Sequence, residues 1–356
     1  MSQTRNNPPF PILRSLHRWC GLIVGVILLV AALSGSALAF KKPLIHSLVC
    51  PDASLPADYS PAHMLAQLEA IRQHGAYQPT TLIKAPNEKE PFWTLMDSGN
   101  TVLLHIDTLE PYRNNLWIIE TLAFLHKLHV TLMAGLTGEI LLLVAGIGGI
   151  GLCVTGLVIW WPGRRGFRWR WVFPKSIKSP LLLQYHRHSG AASALLTVVL
   201  LLTGSLMMWQ IVVSPLLPKD PPTRVAAAVP ARDHDATNVQ AMFAQAVAEM
   251  PDGWPTYIRF GANERPDFSV RFRLPDEWHP NGRTSVIIER DSGDMLVSPR
   301  SDEASTARWL VNQLYPLHSG FGMGTLYSVA VFAGGLFMAW LAISGGWAYL
   351  RRRRLH

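Results

Sequence analysis

Charge is what this sequence has least of. Only 16% of its 356 residues are charged, against 49% apolar. A soluble domain ordinarily carries about 25% charged residues, so the deficit points to a membrane class before any motif is read. Cysteine is scarce too. Cys20, Cys50 and Cys153 stand alone, and no intramolecular disulfide is expected. Cys20 and Cys153 fall in or beside apolar runs, and only Cys50 lies in a polar loop. No P-loop, H-E-x-x-H or Ser-His-Asp constellation is present. Gly146-Ile147-Gly148-Gly149-Ile150-Gly151 matches G-x-G-x-x-G. It sits inside an apolar run with no strand before it, so close helix packing is the expected role, as for Gly21 and Gly25. The Met residues, Met207, Met208 and Met323 among them, read as core or lipid-facing filler.

Four runs are long enough to cross a bilayer, about 20 mostly apolar residues each. They cover roughly 22–40, 140–161, 191–213 and 326–349, with no Asp, Glu, Lys or Arg in their central stretches. The first is too long for a signal peptide and reads as a retained anchor. Orientation follows from the basic residues. Residues 1–18 hold Arg5, Arg14 and Arg18. Residues 162–187 hold Arg164, Arg165, Arg168, Arg170, Lys175, Lys178 and Arg187. The tail holds Arg351 to Arg354, and no acid occurs in any of these segments. Both termini are therefore expected in the cytoplasm. The net charge of +8 is a topology signal rather than a nucleic-acid footprint. The run Arg164 to Arg170, with Trp169 and Trp171, suits lipid headgroups.

The expected division is a cytoplasmic N-terminus and first span (1–40), a first outer domain (41–128), a second span (129–161) and a basic cytoplasmic loop (162–187). A third span (188–213), a second outer domain (214–318), a fourth span (319–350) and a basic tail (351–356) follow. Each outer segment reads as a small α+β unit. The first has a helix at Pro61–His74 and strands at Phe92–Met96 and Thr101–Ile106. The second has a helix at Asn238–Met250 and strands at Thr256–Phe260, Phe268–Phe272, Ser285–Glu289 and Met295–Val297. Glu289 to Asp294 reads as a turn and Lys219 to Ala236 as a linker.

The spans repeat. His17 precedes Ser34-Gly35 by 17 residues, and His186 precedes Thr203-Gly204 by 17. His129 is followed by Gly135 at six and Thr155-Gly156 at 26. His318 is followed by Gly324 at six and Ser344-Gly345 at 26. The chain thus reads as two copies of helix, outer domain, helix. His17 and His186 fall at the cytoplasmic ends of spans one and three, His129 and His318 at the outer ends of spans two and four. Ionisable residues at membrane depth are costly and mark function. Neutral imidazole is an axial ligand of haem iron, and a four-helix core can hold a cofactor between facing helices. Two histidine pairs suit two b-type haems, hence one-electron transfer across the layer. Covalent c-type attachment is excluded, since no C-x-x-C-H occurs. A histidine at a helix end can also be a plain interfacial residue; the matched quartet favours ligands. His126 shares a face with His129, but Tyr315 takes its place in the second half. His188 diverges from His186, so only one of the two faces the core. Either can replace the preferred ligand. Arg18 and Arg187 suit haem propionates, and positive-inside anchoring explains them equally.

Leu16-His17-Arg18-Trp19 with Gly21, Leu128-His129 with Gly135, Trp160-Trp161-Pro162, His186-Arg187 with Gly190, and Leu317-His318 with Gly324 resemble the PepSY-associated transmembrane helix family. The resemblance covers almost the whole chain. It implies a multi-pass protein of the bacterial inner membrane with PepSY-like periplasmic domains. FoxB-like members imply a haem-binding reductase that frees iron from ferric siderophores in the periplasm. In this sequence Val130-Thr131 follows His129, where members often carry a basic residue. The three basic segments are too short for a flavin or nicotinamide domain. The donor is then a separate protein, a small reductant or quinol. The alternative is a non-redox regulator or envelope-protein partner acting through the periplasmic domains. A transporter ranks third, because the central spans lack Pro breaks and charges.

Overall fold

In a hydrocarbon layer every backbone N–H and C=O must be satisfied within its own segment, which leaves the helix as the form available to a long apolar run. The computed structural model describes residues 10–73, 82–97, 100–175, 181–213, 223–225, 239–260, 267–289 and 294–353. His74, the turn at 290–293, most of the 219–236 linker, and Arg5, Lys178 and Arg354 lie outside the described residues.

The chain runs α1 (Pro11–Leu38), α2 (Lys41–Leu48), α3 (Pro61–Gln73), β1 (Leu82–Lys84), β2 (Trp93–Asp97), β3 (Asn100–Leu104), α4 (Leu116–Thr131), α5 (Gly135–Trp160), α6 (Leu182–Val212), β4 (Thr223–Val225), α7 (Val239–Glu249), β5 (Trp254–Arg259), β6 (Phe268–Arg273), β7 (Thr284–Ile288), β8 (Met295–Val297), α8 (Thr306–Ser319) and α9 (Thr325–Arg353). Residues 1–40, 122–218 and 314–356 form one unit; residues 41–121 and 219–313 form the other.

The first unit holds four helices long and apolar enough to span a membrane: α1, α5, α6 and α9. They pack in a ring, α1 against α5 and α9, and α6 against α5 and α9. So α1 faces α6 across the ring, and α5 faces α9. Large apolar side chains point outward; Leu195 is 81% and Leu326 86% exposed. That is the surface of a multi-pass membrane protein. The glycine-rich run lies in α5. Gly146 faces Ser205, Gly148 faces Val24 and Gly149 faces Leu201 and Leu28, the close packing expected of it.

Two boundaries differ from the sequence reading. His129 and His318 do not open the spanning helices. They lie in the last turns of α4 and α8, which are separate elements. Leu132 and Met133 have φ of 48° and 61°, and Gly135 has 54°, so the chain turns sharply before α5. Gly320, Gly322 and Gly324 break the chain before α9 with φ of 73°, 92° and 86°. Gly135 and Gly324, paired in sequence, are thus both left-handed residues at the start of a span. A β-carbon on Gly138 would collide with the Thr131 carbonyl, so α4 can fold back on α5 only over a glycine.

In the second unit, the two segments read as separate α+β domains share one antiparallel sheet of order β3-β2-β1-β5-β6-β7-β8-β4. The seam is β1 against β5, Ile83 opposite Ile258. Six of the predicted strands occur within two residues of their expected bounds, and both predicted helices occur. One face of the sheet buries Ile83, Ile258, Val270 and Val286 with Leu68 and Ile71 of α3 and Phe243 of α7. On the other face, buried Glu90 accepts hydrogen bonds from Lys42 at 2.7 Å and from Lys84.

Burial works to raise the Glu90 pKa, but the charges of Lys84 and Lys42 outweigh it and hold the carboxyl down at about 2, below its usual 4.5. A carboxylate held down in this way adds stability that is complete above its unfolded pKa and lost as pH falls toward the folded value. The thermal stability of this unit should therefore fall as pH drops from about 4.5 to about 2. Glu90→Gln should flatten that dependence and cost roughly 3 kcal/mol at neutral pH, because two buried ammonium groups lose their counter-charge. An unchanged melting profile across this range would contradict the assignment.

Candidate functional site

The bundle core carries two imidazole pairs. His17 of α1 and His186 of α6 have ring centroids 6.3 Å apart, and His129 of α4 and His318 of α8 have theirs 5.9 Å apart. The two pairs are separated along α1 by the 17 residues from His17 to Ser34, whose hydroxyl reaches His129. At 1.5 Å per residue that is about 25 Å, close to the thickness of a bilayer core. Between them lies an apolar layer of Leu28, Ala145 and Leu201, with Val24, Ile27, Ile150 and Met338 against it.

Each ring is held in the same way. His17 Nδ1 lies 2.9 Å from Thr155 Oγ1, and His186 Nδ1 lies 3.0 Å from Ser344 Oγ. His129 Nδ1 reaches the Ala31 carbonyl at 2.8 Å and Ser34 Oγ at 3.4 Å. His318 Nδ1 reaches the Leu200 carbonyl and Thr203 Oγ1, both at 3.1 Å. A hydroxyl has one proton to give. Thr155, Ser34 and Thr203 give theirs to the carbonyls of Gly151, Val30 and Val199 at 2.7–2.8 Å, and Ser344 to Leu341 at 3.3 Å. The hydroxyls therefore accept from the imidazoles. That fixes the proton on Nδ1 of all four rings and leaves each Nε2 a bare lone pair. No hydrogen bond reaches any of these Nε2 atoms among the described residues.

The glycine after each hydroxyl completes the cradle. A β-carbon on Gly156 or Gly345 would stand 3.2 or 3.3 Å from Cε1 of His17 or His186. On Gly35 or Gly204 it would stand 2.6 or 2.8 Å from Cε1 of His129 or His318. The four Ser/Thr-Gly dipeptides were visible in the sequence as repeat landmarks, at offsets of 17 and 26 from the histidines. Their role was not, because nothing in a single chain says which helix they face. The Ala31 and Leu200 carbonyls carry no sequence signal at all.

The remaining candidates separate from this set. His188 is buried, but its Nδ1 accepts the Arg168 backbone N–H at 3.3 Å, and its ring packs on Phe167. It secures the basic loop. His126 is exposed on α4. Arg18 is exposed; its guanidinium carbon lies 5.7 Å from the Trp19 ring and 6.0 Å from the Tyr349 ring. Arg187 is exposed beside Gly163. Neither arginine forms an ion pair among the described residues.

Chemically, two imidazoles with rings 5.9–6.3 Å apart and Nε2 atoms free of hydrogen bonds among the described residues could serve as a ligand pair for one metal. Imidazoles bonded head-on to one metal at about 2.0 Å each place their ring centroids roughly 6 Å apart, the spacing found in both pairs. Holding Nδ1–H against an acceptor is how metal-ligating histidines are oriented.

Replacing Gly by Ala inside a helix ordinarily stabilises by about 1 kcal/mol. Gly35→Ala and Gly204→Ala should do the opposite and cost about 1–3 kcal/mol in thermal unfolding, because each methyl collides with a histidine ring. Gly151→Ala and Gly346→Ala, where nothing lies within 4 Å, should be neutral or stabilising. Equal effects at all four positions would contradict the cradle.

No curated protein matches the chain. The family described as PepSY-associated TM region matches residues 14–352, which takes in every element that builds the two imidazole pairs. The chain belongs to the PepSY-associated transmembrane family.

Proposed function

We propose that this protein is a b-type haem reductase of the bacterial inner membrane that passes electrons across the membrane to a periplasmic ferric siderophore and releases Fe(II). The observation that carries the reading is the pairing of four Nδ1-protonated histidines, two near each end of the bundle, with their Nε2 atoms bare. His17 with His186 would hold one haem, and His129 with His318 a second. Bound there, haem supplies a one-electron carrier to a layer that otherwise insulates.

The chain's own residues set the conditions. Thr155, Ser344, Ser34 and Thr203 hold the Nδ1–H of each imidazole and fix the orientation of its ring. The Leu28–Ala145–Leu201 layer keeps water and ions from the space between the pairs. Arg18 and Arg187 lie beside the inner pair in sequence and are suited to carboxylates. The bipartite repeat, each copy a helix, an extramembrane segment and a helix, accounts for one ligand of each pair coming from each half. By the positive-inside rule the basic segments support cytoplasmic termini and a periplasmic sheet unit. The electron donor is a quinol, a small reductant or a separate protein. Reduction of iron to Fe(II) weakens its hold by hard oxygen ligands.

The test is reconstitution. Proteoliposomes loaded with a reductant and offered a ferric siderophore outside should develop the colour of a ferrous chelator, and His17→Ala or His318→Ala should abolish it. No reduction with hydroxamate, catecholate or carboxylate chelates would reject the reductase reading and favour a non-redox envelope regulator.

A further inference from the structure

The sheet has a second face, and its register makes it cationic. Cross-strand partners share a face. Lys84 is opposite Tyr257, Tyr257 opposite Arg271, and Arg271 opposite Ser285. These four residues form a row across β1, β5, β6 and β7, on strands about 4.8 Å apart. Arg259 lies two residues along β5 from Tyr257, and Arg273 two residues along β6 from Arg271, both on the same side. Two acids lie near this face: Glu90, which is spent on Lys42 and Lys84, and Glu277, which neighbours Arg271, Arg273 and Arg283. Lys42, Lys84, Arg259, Arg271, Arg273 and Arg283 outnumber them.

Alternation of buried and half-buried residues along β6 and β7 shows that the face is partly open to solvent. Lys84 is engaged with Glu90. Arg271 lies 5.6 Å from the Tyr257 ring centroid and feels the Glu277 carboxylate without a close ion pair. Arg273 donates to the Glu277 carbonyl oxygen at 3.2–3.3 Å, and Arg259 forms no ion pair among the described residues. The positive field is felt by a neighbour. Burial first, and then the charges of Arg283, Arg271, Lys42 and Arg273, push the buried His279 imidazole down to about 3. Half-buried guanidinium groups concentrated on one face are costly unless an anion completes them, and they recognise carboxylates and other planar oxyanions through paired N–H donors.

We infer that the face bearing Arg259, Arg271 and Arg273 is the docking site for a polyanionic chelate, so that the ferric substrate is of the catecholate or hydroxycarboxylate class and not a neutral or cationic hydroxamate. This rests on the reductase reading for the identity of the ligand as a metal chelate. The charge pattern alone selects its sign.

Gallium(III) complexes separate docking from reduction, because gallium is not reduced. Full-length protein in nanodiscs of zwitterionic lipid should bind the triply anionic gallium tris-catecholate in calorimetry. Affinity should fall steeply between about 50 and about 300 mM salt. Arg259→Ala with Arg271→Ala should weaken binding by about tenfold or more. Arg259→Lys with Arg271→Lys, which keeps the charge but not the paired donors, should bind more tightly than the Ala pair and keep the salt dependence, showing that the Ala pair acts through charge rather than misfolding. A neutral gallium trihydroxamate bound as tightly, or an Ala pair with unchanged affinity, would overturn the inference. So would loss of chelate binding on adding anionic phospholipid, which would make the face a headgroup contact. None of these results depends on haem content, so the inference can fail while the reductase reading stands, and the reverse.

Discussion

An imidazole N–H donated to an oxygen on a facing helix is the contact around which the membrane unit is organised. Water is absent from a bilayer core, so a neutral histidine there must spend its N–H on the protein. Thr155, Ser344, Ser34 and Thr203 take that proton, with the carbonyls of Ala31 and Leu200 sharing it at one end. Each hydroxyl can accept because its own proton is committed one turn back along its helix. Each ring can approach because the next residue is glycine. Tautomer, direction and clearance are therefore set together, and substitution at any of these positions disturbs the Nε2 atom that a metal would use.

The same economy shapes the helix connections. Placing His129 and His318 on α4 and α8, rather than on the spanning helices, lets each ring be set by a sharp turn. Gly135 and Gly324 supply left-handed residues at those turns, and Gly138 lets the end of α4 lie against α5. In the sheet unit, β1 is only three residues long, yet it joins strands from both halves of the chain. Its Lys84 is held by Glu90, which ties the seam to the start of α2 through Lys42. This short strand, together with the core that α3 and α7 share, makes the two halves one unit.

Much of this was legible in the sequence. Apolar run length gave the four spans, and matched offsets gave the four histidines and the hydroxyl-glycine dipeptides. What stayed hidden depended on contacts across the chain. Leu132 and Met133 are not residues that advertise a left-handed turn, so α4 looked continuous with its span. Leu82–Lys84 is too short for a period-two pattern to register, so two domains were expected where one sheet exists. The Arg168 N–H that occupies His188 was hidden too, because it depends on how the basic loop folds. The cationic sheet face needed the register of β1, β5, β6 and β7 before Lys84, Arg259 and Arg271 could be seen as neighbours.

The most direct test of the central claim is a haem count on the full-length chain in mild detergent, from oxidised and dithionite-reduced visible spectra with a pyridine haemochrome assay. Two imidazole pairs with bare Nε2 atoms predict a low-spin b-type spectrum with about two haems per chain. They also predict about one haem per chain after His186→Ala or His129→Ala. Folded protein that takes up no haem, even when expressed with haem supplied, would contradict the account.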